Sequence, residues 1–165
     1  MKNTVIPKWI EETLFQCDST GEMCSYRELH IVWYDKIDKE NPITIMSYDS
    51  FMLVKRGEGF ERIKKDVDGW SLSDISLEQV LKENVILFFT DFLVVDSIHS
   101  KGNFEKKTNL KSWTELFRRL SIPHYELARH RLKEAKEMDD FMDLTEIQFL
   151  QTENLSKFIN SLDKE

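Results

Sequence analysis

The spacing of apolar residues changes partway along this chain, and that change limits the folds open to it. Up to about residue 100, apolar residues fall in short runs rich in β-branched and aromatic types, which suit a pleated surface. Beyond about residue 108 they recur at helical spacing, as in Tyr125, Ala128, Leu132, Ala135, Met138 and Met142. Strands followed by a block of helices predict an α+β protein. The expected architecture is an antiparallel or mixed sheet in the N-terminal two-thirds with a C-terminal helical block packed on it. The 165 residues suit one domain, sheet-rich over 1–100 and helical over 108–163. A chain of this length buries roughly 70% of its unfolded surface. With 41% hydrophobic and 12% aromatic residues it has the material for a core.

Local signals place the individual elements. Pro7 suits a first helical position and predicts a helix over about 7–16. Ser25 to Asp35 reads as a strand, and 43–46 and 51–54 as shorter ones. The turn at Arg56-Gly57-Glu58-Gly59 is expected to send 60–63 back as a further strand, giving an antiparallel meander. Ser76–Gln79, Ser112–Glu115 and Thr145–Gln148 have the capping-box pattern and predict helix starts. The run Val85–Phe89 with Phe92–Val95 is almost continuously apolar. It predicts one long strand, buried on both faces and central. Thr90 and Asp91 interrupt the run, and it is far too short to span a membrane. The first residues lack the apolar stretch of a signal peptide, so the expectation is a cytoplasmic protein with no membrane partner. A protein exported without a signal would look the same.

The formal net charge is -7, which disfavours indiscriminate binding to nucleic acid. The charge is unevenly spread. Residues 101–136 hold ten Lys/Arg against four Asp/Glu, a surplus of 6, which leaves -13 on the rest. A basic surface for phosphates or for an acidic partner is one meaning. A solvated helix face is the other.

Within that window, 115–122 and 127–133 resemble the generic helix-turn-helix of DNA-binding regulators. Leu116, Leu120, Ile122 and Leu127 stand where that motif needs apolar contacts, and a basic second helix follows. The resemblance implies that His124, Arg129, His130 and Lys133 face the groove while Arg118 and Arg119 approach phosphates, and Arg131 lies in the same basic stretch. Three features depart from the motif. Phe117 stands where a small residue is usual, Ser121 replaces the turn glycine, and Leu132 falls one residue late. An αα-hairpin that serves the core accounts for the same residues.

Asp96 with Glu105-Lys106-Lys107 loosely fits the acid…Glu-x-Lys arrangement of metal-dependent nucleases, with two carboxylates for a divalent cation and Lys107 to orient water. Such combinations also arise often by chance. No histidine pair has metalloprotease spacing, no glycine-rich phosphate loop is present, and no serine sits in a nucleophile elbow. The four histidines read as surface groups. Cys17 and Cys24 match no zinc-site spacing and read as reduced thiols. No cofactor and no metal is expected. Among the tryptophans, Trp9, Trp33 and Trp113 read as core. Trp70, after Asp68-Gly69, reads as an exposed interface residue.

The weight of these features favours a non-enzymatic protein-binding module, an inhibitor, immunity or antitoxin-type protein that masks a macromolecular partner. A nucleic-acid-binding regulator using the basic segment 112–136 is the alternative, and a metal-dependent nuclease the third.

Overall fold

The computed structural model describes residues 5–36, 46–48, 51–63, 70–83, 85–91, 106–108, 110–138, 141 and 143–162. Sheets lie in the N-terminal part and helices toward the C-terminus, so the α+β class holds. The chain divides into two compact units, Met1–Phe117 and Arg118–Glu165.

The first unit opens with α1 (Lys8–Glu12), entered through Pro7, whose carbonyl accepts the Ile10 N–H at 2.9 Å. The helix stops well short of the expected Gln16. Thr13 turns extended, and its hydroxyl donates back to the Trp9 carbonyl at 2.6 Å. The next residues form a small hairpin instead, with β1 (Phe15–Gln16) antiparallel to β2 (Met23–Cys24). Gly21, at φ +78°, closes its turn, a backbone conformation that costs glycine little.

The main sheet has the order β5-β3-β6, all antiparallel, with β3 (Leu29–Lys36) in the middle. Residues 26–28, expected in the strand, form a turn before it. The flanking strands are β5 (Met52–Lys55) and β6 (Trp70–Ser76). A separate parallel pair joins β4 (Met46–Tyr48) to β7 (Lys106–Thr108), so the sheets are mixed in sense.

Between β5 and β6 lies the first correction. Residues 60–63 do not pair back as a strand; they belong to α2 (Glu58–Ile63). Gly57, at φ +80°, turns the chain at the end of β5. The helix then lies across the sheet. Phe60 meets the His30 ring edge-on with centroids 5.6 Å apart, and the Tyr34 hydroxyl donates to the Ile63 carbonyl at 2.8 Å.

Downstream come α3 (Leu77–Glu83), as the Ser76 box predicts, and then α4 (Val85–Asp91). The second element is the larger correction. Residues 85–91 are a helix and not a central strand; 92–95 lie outside the described residues. A short apolar run fits either element, and here helical spacing puts Phe88 and Phe89 on the buried side. Phe88 packs against Trp33 (6.2 Å between centroids), on the sheet face opposite α2. The central place belongs to β3, whose Leu29, Ile31 and Val32 are fully buried.

Helix α5 (Leu110–Ser121) begins two residues before the predicted Ser112 start. Ser112 is therefore an interior residue, and its hydroxyl accepts the Phe51 N–H at 3.2 Å. Phe89 sits edge-on to Trp113 and Phe117, which stack nearly parallel at 5.5 Å. Trp9, Trp33 and Trp113 are all half-buried.

In the second unit the helix predicted from Pro123 onward is interrupted. His124 adopts the left-handed conformation (φ 68°), and α6 spans only Tyr125–Ala128. Turns cover 129–133, followed by a single 3₁₀ turn, Glu134–Glu137. No glycine or proline marks the break. Then come α7 (Glu146–Phe149) and α8 (Thr152–Leu162). The Thr145 box forms as predicted: Thr145 N–H and hydroxyl both donate to Gln148 Oε1, and the Gln148 N–H donates to the Thr145 hydroxyl. Tyr125, Ala128, Ala135, Phe141, Leu155 and Phe158 make the core of this unit.

Candidate functional site

The basic segment is the first candidate, and its charges are partly neutralised from within. Arg119 is buried and grips Glu126 through two N–H···O bonds, Nε to Oε2 at 2.7 Å and Nη2 to Oε1 at 2.9 Å. Arg129 approaches the same carboxylate, its Nε 3.4 Å from Oε2. Arg131 pairs with Glu134 at 2.7 Å and, by that hydrogen bond, holds the Glu134 carboxyl below its usual range. Lys133 and His130 are exposed, while Arg118 and His124 are half-buried. The expected recognition helix is the four-residue α6, with Arg129, Arg131 and Lys133 in the turns after it. Phe117, the bulky departure from the helix-turn-helix pattern, is occupied with Phe89 and Trp113. Leu132 packs on the core of the second unit.

The nuclease candidates Asp96 and Glu105 lie outside the described residues, and of Lys107 the structure describes the backbone, in β7. Among the described residues, no group of three or more His, Cys, Asp or Glu could hold a metal ion. Trp70 opens β6, its backbone opposite Lys36; its side chain is outside what is described. No helix among the described residues is long and apolar enough to cross a membrane.

Three features escaped the sequence reading. The first is His30, expected at the surface but buried: its Nδ1 lies 2.7 Å from Asp74 Oδ2. A strand position between two apolar residues, Leu29 and Ile31, was the available signal. The second is on α4. Ile86 and Leu87 are each 65% exposed, because the helix turns Phe88 and Phe89 inward instead. Read as a buried strand, the run concealed this ridge.

The third is the hairpin tip. The outward-facing amides of β5 end on it: Leu53 N–H donates to Asp18 Oδ2 at 2.7 Å, and Lys55 N–H donates to Cys17 Sγ at 3.3 Å. In return Asp18 N–H donates to the Leu53 carbonyl at 2.8 Å, and Lys55 Nζ reaches Glu22 at 2.7 Å. Side chains thus satisfy a sheet edge that would otherwise be open to another strand. Burial pushes the Cys17 thiol up, but hydrogen bonds from Ser19, Thr20 and the Lys55 amide outweigh it and leave the thiol below its ordinary value. Cys24 moves the other way, raised by burial and by Glu22. Both thiols are free.

No family model, curated protein or solved structure matches this chain.

Proposed function

We propose that the chain is a non-enzymatic protein-binding module, of the kind that masks a macromolecular partner as inhibitors, immunity proteins and antitoxins do. The observation that carries this reading is the ridge of Ile86 and Leu87 on α4. Two large neighbouring apolar side chains held in water by a short helix are a natural anchor pair for a partner's pocket. The helix itself is fixed from behind by Phe88 on Trp33 and Phe89 on Trp113, so the ridge is presented on a rigid base. The acidic balance of the chain supports a protein partner over nucleic acid. The two free thiols, Cys17 and Cys24, suit a cytoplasmic setting.

The test is an affinity capture from native lysate, run with and without nuclease, comparing the natural chain with an Ile86→Glu/Leu87→Glu variant. The expected result is a discrete protein that survives nuclease and high salt and is lost with the variant, whose melting temperature is unchanged. Bound material that disappears on nuclease treatment overturns this reading and moves attention to the basic stretch from Arg118 to Lys133.

A further inference from the structure

We infer that Cys17 and Cys24 form a hydroperoxide-reactive pair, with Cys17 as the residue oxidised first and Cys24 as the thiol that resolves it into a disulfide. The placement of the two residues carries the inference. Phe15 lies opposite Cys24 in the β1–β2 register, and Cys17 N–H donates to the Glu22 carbonyl at 2.8 Å. Side chains alternate along each strand, so Phe15, Cys17 and Cys24 share one face of the hairpin, with Cys17 diagonal to Cys24. All three are buried on that face.

The surroundings of the two sulfurs differ in kind. Cys17 Sγ sits among donors: the Lys55 amide at 3.3 Å and the Ser19 hydroxyl at 3.3 Å. These are the groups that stabilise a thiolate, and they draw the thiol below its ordinary value. Cys24 Sγ instead donates to the Glu22 carbonyl at 3.6 Å and has the carboxylates of Glu22 and Glu28 near it, which favour the protonated thiol. The first sulfur is prepared to attack and the second is held in reserve. Cys17 is fully buried, so a small oxidant reaches it when the turn Asp18–Gly21 opens, a motion that breaks the two Asp18–Leu53 hydrogen bonds and the Gly21 N–H bond to the Cys17 carbonyl.

The chemistry balances with a hydroperoxide as oxidant. Cys17 thiolate attacks the terminal oxygen; an S–O bond forms, the O–O bond breaks, and the alcohol leaves with a proton. The product is a sulfenic acid. The Cys24 thiol gives up its proton and attacks that sulfur; the S–S bond forms, the S–O bond breaks, and the hydroxide leaves with that proton as water. Two thiols and one hydroperoxide become one disulfide, one alcohol and one water.

The disulfide has a structural consequence. Diagonal neighbours across a strand pair lie about 7–8 Å apart, whereas bridged cysteines need Cα atoms within about 4.4–6.8 Å. Closing the bridge therefore shears the hairpin and withdraws Cys17 Sγ from the Lys55 amide. Oxidation loosens the cover on the β5 edge.

The test treats the reduced full chain with tert-butyl hydroperoxide and maps the products by peptide mass spectrometry. The expected product is an intramolecular Cys17–Cys24 disulfide. In Cys24→Ser, dimedone should trap a sulfenic acid at Cys17. Hydrogen exchange of the Leu53 and Lys55 amides should quicken about fivefold on oxidation, the loss of one net hydrogen bond. Thiols that stay reduced, a first adduct at Cys24 in the natural chain, or bridges only between chains would each overturn the inference. The disulfide and hydrogen-exchange readouts are taken on the natural chain, so a Cys24→Ser variant that fails to fold does not blunt them.

Discussion

Arg119 and Glu126 hold each other in a parallel two-bond grip with their side chains only 3% and 2% exposed. One residue sits near the end of α5 and the other in α6, so the pair fixes the turn between the two helices. Burial of both charges is costly, and mutual attraction offsets that cost only while both partners remain.

Removing one partner is therefore expected to hurt far more than removing both. Glu126→Ala should cost about 3–5 kcal/mol, since Arg119 would stay buried without its carboxylate. The double change Arg119→Met/Glu126→Leu should recover part of that loss, with Arg129 still lacking the carboxylate it approaches. Urea unfolding followed by circular dichroism measures both. Equal destabilisation by the single and double changes would show that the pair is not coupled.

Two nearby glycines should respond to alanine for different reasons. Gly57 has open space where a Cβ would go but sits at φ +80°. Gly57→Ala should cost about 1–2 kcal/mol from backbone strain alone, and Gly57→Asn distinctly less. Gly59 has an ordinary helical backbone, yet a Cβ there would lie 3.0 Å from Val54 Cγ1, 3.1 Å from Ser19 Oγ and 3.5 Å from Cys17 Sγ. Helix propensity favours Gly59→Ala by about 1 kcal/mol, against about 1–3 kcal/mol for overpacking. Val54 is fully buried and cannot move aside, so a net loss is expected. Thermal melts of the three variants decide the order.

How much of this was legible in the sequence depends on how local each cause is. Strand β3, strand β5 and the Thr145 cap were readable, because β-branched content and a four-residue capping pattern act within a few residues. The α+β class followed from the change in apolar spacing. Helix α4 was not readable, because Val85–Phe89 fits a strand or a helix and the choice is made by Trp33 and Trp113, distant in sequence. Strand β6 alternates weakly between apolar and polar residues and draws its stability from β3. The interruption after α6 has no local breaker at all. In the candidate sites, the basic stretch was visible as charge. That Glu126 sits buried between Arg119 and Arg129 depends on tertiary placement, which a charge count does not carry. The roles of Asp18 and Cys17 likewise depend on β5, some 35 residues away.

The two thiols should give stability opposite dependences on pH. The Cys17 value is lowered in the folded chain from its ordinary 9.0. From the folded value up to 9.0 the unfolded chain holds a proton that the native chain has released, so stability rises with pH and the gain is complete above 9.0. Cys24 is raised from 9.0, so it withdraws stability as pH climbs above that point. Glu22, Glu28 and Lys55 face this site. Urea midpoints across a pH series should show Cys17→Ala flattening the rise just below 9.0 and Cys24→Ala removing the fall above it. Identical pH profiles for the two variants would contradict the assignment.

Asp18 offers the sharpest check on the covered sheet edge. Its carboxylate accepts the Leu53 N–H at 2.7 Å while its own N–H donates to the Leu53 carbonyl. Asp18→Ala removes the acceptor and leaves a strand amide facing outward, at a cost of about 1–3 kcal/mol. Asp18→Asn keeps an acceptor oxygen in place and should cost well under half of that. The exposed edge is also a template for another chain, so Asp18→Ala should aggregate at concentrations where Asp18→Asn stays dispersed. Light scattering during storage and hydrogen exchange at Leu53 provide the two readouts. Slow exchange at Leu53 in Asp18→Ala would mean that something other than the hairpin shields this edge.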